Sequence, residues 1–305
     1  MVVPNGNNTL LSGACTLCRR EAKWRTVIQL QDIETKEFFF ILECPHCGIL
    51  KTWPMPQELA PYYEGELGQA MRKSGGPIYS ILKRWLLKTE VRRLTSLRKN
   101  VTFLDIGCGN GDIARLLHEA GHKVIAIDME NQRPESLKNL PTLPYRTIDD
   151  ETYEIRNFGK VENGVAILRH LVEHLKDPPR FFQKLASYGV RYFYVALPNA
   201  GALERSLLGQ YWFLWDPPRH LWHFNARSLE IFLKESDIEI LKQGRDISPV
   251  IIPSLYRFLR LKNAPQWFCR IFSPKGSLCG IMTALNFLLP RNTLWVLGQR
   301  VSGPI

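Results

Sequence analysis

Alternating apolar and polar stretches divide the chain into short strands and helices. The apolar run Val101–Ile106 is followed by glycines, a helical pattern over Asp112–Ala120 and a second apolar run over Lys123–Ile127. Two short runs separated by one helix predict a βαβ unit. Two further apolar runs, 190–198 and 292–301, predict later strands of the same sheet. The pattern indicates an α/β fold.

The N-terminal part of the chain has a different pattern. Two β-rich runs, 23–33 and 37–44, are separated by the polar residues ETK, which predicts a hairpin. Residues 77–99 carry apolar positions at three- and four-residue spacing, which predicts an amphipathic helix. We therefore expect three units, which are a small module over 1–56, a helical linker over 57–99 and an α/β domain over 100–305.

Composition is typical of a basic globular protein. The 305 residues are 45% hydrophobic and carry a formal net charge of +11. This positive charge favours binding to a polyanion, an anionic membrane or a phosphorylated substrate. The longest apolar runs fall well short of the roughly 20 residues that a bilayer span needs, so we expect no transmembrane helix. The first residues lack a basic start followed by an apolar core, which predicts no secretory signal, a cytoplasmic location and reduced thiols.

Four of the seven cysteines form two C-x2-C pairs, Cys15 with Cys18 and Cys44 with Cys47. Each pair presents two thiolates from a tight turn, and the hairpin between them lets the pairs meet, which predicts a tetrahedral Zn²⁺ site. Four thiolates leave no open coordination position, so we expect the ion to be structural. Redox or disulfide pairing is the alternative, and reduced thiols disfavour it.

The glycine turn 107–111 opens the helix of the βαβ unit. Asp112 stands where the dinucleotide fingerprint has its third glycine, which disfavours a nicotinamide or flavin cofactor. Amides at the helix start favour a ligand anion. Asp105 can accept hydrogen bonds from a ligand ammonium, and Asp128 is placed to take two ribose hydroxyls. A ligand with an amino acid beside a ribose is S-adenosylmethionine.

The stretch FLDIGCGNG, with the acidic residue that closes the next strand, resembles the first motif of the class I S-adenosylmethionine-dependent methyltransferases. The resemblance covers roughly residues 100 to 300. It implies a Rossmann-like seven-stranded sheet, here with an N-terminal zinc ribbon and a helical insert at about 247–290, before the last strand. It also implies that Asp149 or Asp150 contacts the adenine amino group of the cofactor, and that the end of the fourth strand lines the part of the pocket that holds the cofactor's methionine portion. The implied cofactor-binding residues are Asp105, Gly107, Cys108, Gly109, Asn110, Gly111, Asp128, Met129, Asp149 or Asp150, Leu168 and Arg169.

The order of features narrows the resemblance. A cysteine ribbon, the methyltransferase core, HLVEHLKDP and then LPNAGALERSLLGQYWFLWDPPRHLWHF look like one bacterial group that acts in glycan, sugar-nucleotide or other secondary-metabolite pathways. This implies a small-molecule or glycan acceptor and an oxygen as the methylated atom. Residues 198–224 follow the fifth strand and so lie at the carboxyl edge of the sheet, where open α/β folds bind ligands. Their rings and hydrogen-bonding groups suit a sugar or an aromatic acceptor.

A hydroxyl acceptor benefits from losing its proton, and a neutral histidine can take it. The candidates are His220, which is preferred, His223 and His174. Relatives with E-x-x-E-H after the fourth strand hold a divalent ion instead. The matching residues here are His170, Glu173 and His174, with His220 as a distant fourth ligand.

The histidine at the first position of this motif favours a softer metal than Mg²⁺. We expect Glu173 and His174 to begin the next helix, where positions i, i+3 and i+4 share one face. An ion, a metal-free polar site and structural hydrogen bonding all stay open as interpretations.

The insert at 247–290 mixes arginine and lysine with tryptophan, phenylalanine and leucine. It predicts a helical cap over the substrate pocket or, alternatively, a peripheral membrane contact that reaches a lipid-linked glycan.

RNA methylation is the main rival function, because a zinc ribbon beside a basic domain suits a nucleic acid. Acidic and basic residues balance each other over residues 15–47, so nucleic acid is the less favoured partner. A non-enzymatic scaffold that binds the cofactor without catalysis is a third reading.

Overall fold

The structure is a computed structural model. It describes residues 11–63, 77–96, 100–247, 251–265 and 292–301. Within these ranges the chain forms one five-stranded and one seven-stranded sheet, with helices packed against the larger one.

The smaller sheet is built mainly from the N-terminal module. Its first four strands pair in chain order and antiparallel: β1 (Leu11–Ala14), β2 (Glu21–Gln31), β3 (Phe38–Glu43) and β4 (Leu50–Trp53). The hairpin predicted from the two β-rich runs is therefore present as β2 and β3. Two helices follow, α1 (Ala60–Tyr63) and α2 (Pro77–Thr95). The helix predicted over 77–99 is confirmed up to Thr95, and residues 97–99 lie outside the described part.

The larger sheet is the α/β core. Its elements, in chain order together with the short β10, are β5 (Thr102–Ile106), α3 (Asp112–Glu119), β6 (Lys123–Asp128), β7 (Tyr145–Thr147), β8 (Gly164–Arg169), α4 (Pro178–Ser187), β9 (Val190–Pro198), α5 (Leu203–Leu208), β10 (Trp222–His223), α6 (Ala226–Glu235), β11 (Ile238–Asp246), α7 (Ile251–Leu261) and β12 (Thr293–Arg300). The strand order is β11-β12-β9-β8-β5-β6-β7. β12 runs antiparallel to both of its neighbours, and strands β5 to β9 run parallel. The predicted Rossmann-like seven-stranded sheet is confirmed.

Helices on both faces bury the central strands, so β8 and β9 read as continuous apolar runs. The carboxyl ends of β5, β6 and β8 meet at one edge of the sheet because these strands are parallel neighbours. Side chains that follow these strands are thereby collected on one side of the molecule.

Strand β10, which comes from the α/β part of the chain, adds a fifth strand to the smaller sheet, and the sequence analysis did not predict it. Its two residues pair with β4, with Trp222 opposite Lys51 and His223 opposite Leu50. Buried residues of the N-terminal module and of the α/β core belong to one apolar cluster, in which Trp24 and Leu221 both take part. The division into three units stays a prediction, but the segment before residue 56 contributes directly to the packing of residues 220–223.

The helix expected after β8 begins later than predicted. His170 has a left-handed φ of 49°, and residues 172–174 form a single 3-10 turn. Helix α4 begins at Pro178, and its N-cap is Asp177, whose carboxylate accepts a hydrogen bond from the Arg180 amide at 3.1 Å. The two prolines at the start of α4 suit the first turn, where an amide hydrogen has no partner in the helix. The expectation that Glu173 and His174 begin this helix and share a helical face with His170 is therefore wrong.

Part of the predicted insert is helical. Helix α7 packs Tyr256 and Leu259 against Trp212 and against Leu30 of β2. Residues 248–250 and 266–290 of the insert lie outside the described part. Among the described helices, none is long and apolar enough to cross a membrane.

Candidate functional site

The glycine turn after β5 forms a cradle at the carboxyl edge of the sheet. Gly107, Gly109 and Gly111 all have left-handed φ values, of 69°, 50° and 73°. A Cβ on Gly111 would lie 2.6 Å from Leu137, and one on Gly107 would lie 3.1 Å from Leu171, whereas one on Gly109 would meet nothing within 4 Å. Gly109 therefore faces open space, which a ligand can occupy close to the backbone.

Asp105 lies at the inner end of the cradle. Its carboxylate is buried and accepts a hydrogen bond from the Ala114 amide, in the first turn of α3, at 3.0 Å. Burial raises the pKa of Asp105 to about 7. A buried carboxyl group of this kind favours a cationic ligand group beside it.

Asp128 closes the outer side of the cradle at the end of β6. One carboxylate oxygen accepts the Gly109 amide at 2.7 Å, and the other accepts the Met129 amide at 2.8 Å. The carboxylate is thus fixed beside the open face of the turn. The Met129 side chain is largely exposed at the rim.

Cys108 and Asn110 complete the turn. The Cys108 amide donates to the Ile127 carbonyl oxygen at 3.1 Å, and burial raises the pKa of the Cys108 thiol. The Asn110 carbonyl oxygen accepts from the Ser136 hydroxyl.

The two aspartates predicted near the adenine behave differently. One Asp149 carboxylate oxygen accepts the amide and the hydroxyl of Thr152, both at 2.7 Å, so this side chain stabilises a turn. Asp150 is exposed. The assignment of either residue to the adenine stays a prediction.

Arg169 ends β8 beside the cradle, and its backbone neighbour Leu168 is buried opposite Ile106. Arg169 Nε lies 2.6 Å from Glu90 Oε2, which is on helix α2. Sequence reasoning missed Glu90, although a signal was present. Leu87, Glu90 and Leu94 lie on one face of α2, and all three are buried. A glutamate at an otherwise apolar position of a helix face is therefore the signal in the sequence.

A second cluster lies after β8, on the acceptor side. Ligand atoms of Glu173, His174 and His220 all lie within 4.8 Å of one another. Glu173 is 1% exposed, and neither of its carboxylate oxygens has a hydrogen-bond partner within the described ranges. The rings of His174 and His220 meet edge to face, with centroids 4.7 Å apart.

Main-chain carbonyl groups orient both imidazoles. His174 Nδ1 donates to the Arg219 carbonyl oxygen at 2.9 Å, and His220 Nδ1 donates to the Leu214 carbonyl oxygen at 2.8 Å. Because a carbonyl oxygen only accepts, Nδ1 carries a proton in each ring, and in the neutral form of the ring Nε2 carries the lone pair. Burial, together with His220, lowers the pKa of His174 to about 4.

The other two predicted histidines stand apart from this trio. His170 Nδ1 is 3.4 Å from Glu173 Oε1, but His170 does not belong to the group of mutually close ligand atoms. His223 Nε2 is 3.0 Å from the Thr52 hydroxyl oxygen, and burial holds the pKa of His223 well below its usual value.

An ion pair between Asp216 and Arg219 borders the cluster. Although burial acts to raise it, the guanidinium of Arg219 holds the pKa of Asp216 below its usual range. Asp216 Oδ2 lies 4.0 Å from His220 Nε2, so a fixed negative charge stands near that nitrogen.

The four cysteines of the two pairs are buried together. Cys15 Sγ is 3.9 Å from Cys47 Sγ, and Cys18 Sγ is 3.9 Å from Cys44 Sγ. These distances are far from the ~2.05 Å of a disulfide. Four sulfur atoms at ~2.3 Å from one Zn²⁺ lie ~3.8 Å apart in a tetrahedron, so the donor set fits that ion.

Both turns that present the sulfur atoms have the same construction. A left-handed residue, Arg19 or Gly48, follows each pair, and its amide donates to the carbonyl oxygen of the first cysteine. Lys51 extends over the ring of Trp24 at 3.8 Å and lies within electrostatic range of Cys15 and Cys44. Its ammonium group complements thiolate charge at this site.

Comparisons with known proteins are consistent with this geometry. A family model described as a methyltransferase domain matches residues 82–243. Among curated proteins, none matches the sequence.

Solved structures similar to this chain were also found, at low sequence identity. One chain of the complex between the Haloferax volcanii Trm112 methyltransferase activator and a methyltransferase is 12% identical, with a TM-score of 0.50 over 81% of this chain and 100% of that one. Magnesium protoporphyrin IX methyltransferase from Synechocystis PCC 6803 is 13% identical, with a TM-score of 0.49 over 79% and 97%. A methyltransferase from Archaeoglobus fulgidus that depends on S-adenosylmethionine is 18% identical, with a TM-score of 0.46 over 71% and 94%.

Proposed function

The chain belongs to the family of methyltransferase domains, and from this premise we propose that it transfers a methyl group from S-adenosylmethionine to a hydroxyl oxygen of a sugar, a glycan precursor or another small metabolite. The observation that carries the proposal is the juxtaposition of two sites at one sheet edge. The glycine cradle after β5 and the Glu173, His174 and His220 cluster after β8 follow neighbouring parallel strands.

The cradle residues suit the cofactor. S-adenosylmethionine, when bound, supplies a methyl group on a sulfonium that is already a good leaving group. Asp105 would hold the ammonium group, Asp128 the ribose hydroxyls, and the open face of Gly109 lets the ligand approach the backbone. The task left to the chain is to align the acceptor and to exclude water.

His220 is the proposed proton acceptor. Its Nδ1 proton is donated to the Leu214 carbonyl oxygen, which leaves the Nε2 lone pair for a hydroxyl proton. Asp216 lies close enough to stabilise the imidazolium that forms. His223 is less suited, because its Nε2 is engaged with Thr52.

One observation favours a divalent ion in the same cluster. The Glu173 carboxylate is buried, and neither of its oxygens accepts a well-formed hydrogen bond among the described residues, although His170 Nδ1 lies 3.4 Å from Oε1. A buried charge that is compensated this weakly is costly. Two imidazoles oriented by carbonyl groups and one carboxylate form a donor set that suits Zn²⁺, Mn²⁺ or Co²⁺. His220 would then be a ligand rather than a free base.

Metal titration decides between these two roles of His220. Calorimetry with Mn²⁺ and Co²⁺ should detect a site in the zinc-loaded protein whose affinity falls at least ~10-fold in Glu173→Gln. The exposed Glu119→Gln serves as the matched control. A protein that binds neither ion, or equal binding by both variants, would leave His220 as the free base.

We also propose a structural Zn²⁺ on Cys15, Cys18, Cys44 and Cys47. The spacing of the sulfur atoms and the nearby Lys51 support it. Such an ion would stabilise the smaller sheet rather than take part in methyl transfer, because four thiolates complete its coordination.

Formation of S-adenosylhomocysteine over a panel of nucleotide sugars, free sugars, phenols and RNA tests the function. We expect turnover with a hydroxyl compound, and His220→Ala should abolish it while sparing cofactor binding. His118→Ala is the control, because this imidazole lies in the last turn of α3 and contacts the Thr142 hydroxyl at 3.1 Å. Methylation of RNA alone would support the rival function. Cofactor binding without turnover on any acceptor would support a scaffold.

A further inference from the structure

Helix α2 brings a buried carboxylate to the cofactor cradle. Glu90 occupies the apolar stripe of α2 between Leu87 and Leu94, and it is 8% exposed. Such a position is normally aliphatic, because burying a charge costs free energy unless a partner compensates it. The partner of Glu90 is therefore expected to matter for the site.

That partner is Arg169, at the carboxyl end of β8. Arg169 Nε is 2.6 Å from Glu90 Oε2, and the two side chains are 29% and 11% exposed. β8 is the parallel neighbour of β5, so Arg169 lies one strand away from Asp105. A largely buried ion pair is a weak source of stability, since desolvation offsets most of the attraction.

The arrangement places two carboxylates, Asp105 and Glu90, within electrostatic range of one another and of the Arg169 guanidinium. Asp105 and Arg169 are close enough for their charges to interact, and so are Asp105 and Glu90. Without Glu90, the guanidinium of Arg169 would be drawn toward Asp105, and the two charges would neutralise each other. Glu90 holds the guanidinium on the α2 side, which keeps the Asp105 carboxylate available.

We propose that Glu90 is a positioning residue for the cofactor: it holds Arg169 so that the guanidinium receives the α-carboxylate of the cofactor's amino acid portion while Asp105 receives the ammonium group. The inference rests on the proposed cofactor and adds a residue of the N-terminal helix to the site. An α-amino acid carries both charges on one carbon, so the site needs a cation and an anion that are kept apart.

Two ligands separate this role from a general effect on folding. S-adenosylhomocysteine carries the amino acid portion, whereas 5′-methylthioadenosine lacks it and keeps the adenine and ribose. By calorimetry, Glu90→Gln should bind S-adenosylhomocysteine about 10- to 100-fold more weakly, as expected for a lost charged hydrogen bond. Its affinity for 5′-methylthioadenosine should equal that of the wild type.

Further variants complete the test. Arg169→Met should cause a similar loss for S-adenosylhomocysteine, and the double variant should lose little more than Arg169→Met alone, because the two residues act as one unit. Glu119→Gln, on the exposed side of α3, should bind both ligands as the wild type does.

The contrary outcomes are distinct. Equal weakening for both ligands, or additive losses in the double variant, would reduce Glu90 to a structural role and overturn the inference. Wild-type protein that binds 5′-methylthioadenosine as tightly as S-adenosylhomocysteine would overturn the inference alone. Wild-type protein that binds neither ligand would overturn the proposed function as well.

Discussion

The hydroxyl of Thr52, on β4 of the smaller sheet, donates a hydrogen bond to the main-chain carbonyl oxygen of His220 at 2.6 Å. Because that bond uses the only hydroxyl proton, the same oxygen must accept from His223 Nε2 at 3.0 Å. The Thr52 amide also donates to the Leu221 carbonyl oxygen at 2.9 Å. One residue of the cysteine-bearing sheet thus fixes the backbone that carries the proposed base.

Replacement of Thr52 by valine should weaken both stability and turnover. Valine keeps the shape but leaves the His220 carbonyl oxygen and the His223 Nε2 proton without partners, at about 1–3 kcal/mol for each buried group. We expect a matching loss in the free energy of unfolding by urea denaturation and a fall of at least ~10-fold in kcat. Thr52→Ser keeps the hydroxyl and should retain most of the activity.

Thr95→Val is the matched control for this prediction, since within the described ranges the Thr95 hydroxyl donates to the Arg92 carbonyl oxygen of its own helix. If Thr52→Val and Thr95→Val had the same turnover, the Thr52 hydroxyl would have no part in placing His220.

The cofactor cradle could be predicted from the sequence because its parts are adjacent in the chain. Strand, glycine turn and helix follow one another from Val101 to Glu119, and Asp128 ends the next strand, so local pattern determines their geometry. The seven-stranded sheet follows from the same alternation of strands and helices.

Contacts between distant segments could not be predicted in this way. Thr52 and His220, or Glu90 and Arg169, meet only after the sheets have packed, and the short β10 has too few residues for a strand pattern. The left-handed His170 also overrides the helical spacing of the stretch that follows β8. Tertiary packing decides these features.

Gly109 and Gly111 should respond differently to alanine. Both have left-handed φ, which costs about 1–2 kcal/mol with a Cβ, but only at Gly111 would the Cβ meet Leu137 at 2.6 Å. Gly109→Ala should therefore lose cofactor affinity, about 10-fold or more by calorimetry, with a modest fall in Tm. In Gly111→Ala the main effect should be a fall in Tm. Gly121→Ala, with φ +81° and open space, controls for the backbone cost.

Equal cofactor affinity in Gly109→Ala and Gly121→Ala would mean that the ligand does not approach the turn at Gly109.

Removal of one thiolate should release the structural ion. Cys47→Ser breaks the four-sulfur set, so we expect one equivalent of zinc to be lost in elemental analysis, with a large fall in Tm because metal binding is part of folding in such modules. Since β4 pairs with β10, turnover should fall as well. The Cys108→Ser variant, which changes a cysteine outside the four-sulfur site, should keep the full zinc content of the wild type. Full zinc content in Cys47→Ser would contradict the assignment.

Asp105 should make cofactor binding depend on pH. In the unliganded fold burial raises its pKa to about 7 from 3.8, with Arg169 acting in the opposite direction and Asp128 and Glu90 in the same one. The folded chain therefore holds this proton more tightly than the unfolded chain, and the contribution of Asp105 to stability falls as pH rises from about 4 to about 7.

The ligand ammonium favours the ionised Asp105 carboxylate, so ligand binding releases the proton. Affinity for S-adenosylhomocysteine should rise up to about 10-fold per pH unit below pH 7 and level off above it. Calorimetry in buffers of different ionisation enthalpy would detect the released proton. The Asp105→Asn variant should bind weakly and show no such pH dependence. The Asp128→Asn variant should bind weakly and keep a pH dependence, at lower pH because Asp128 helps to raise the pKa of Asp105. An equal slope in Asp105→Asn would assign the titration to another group.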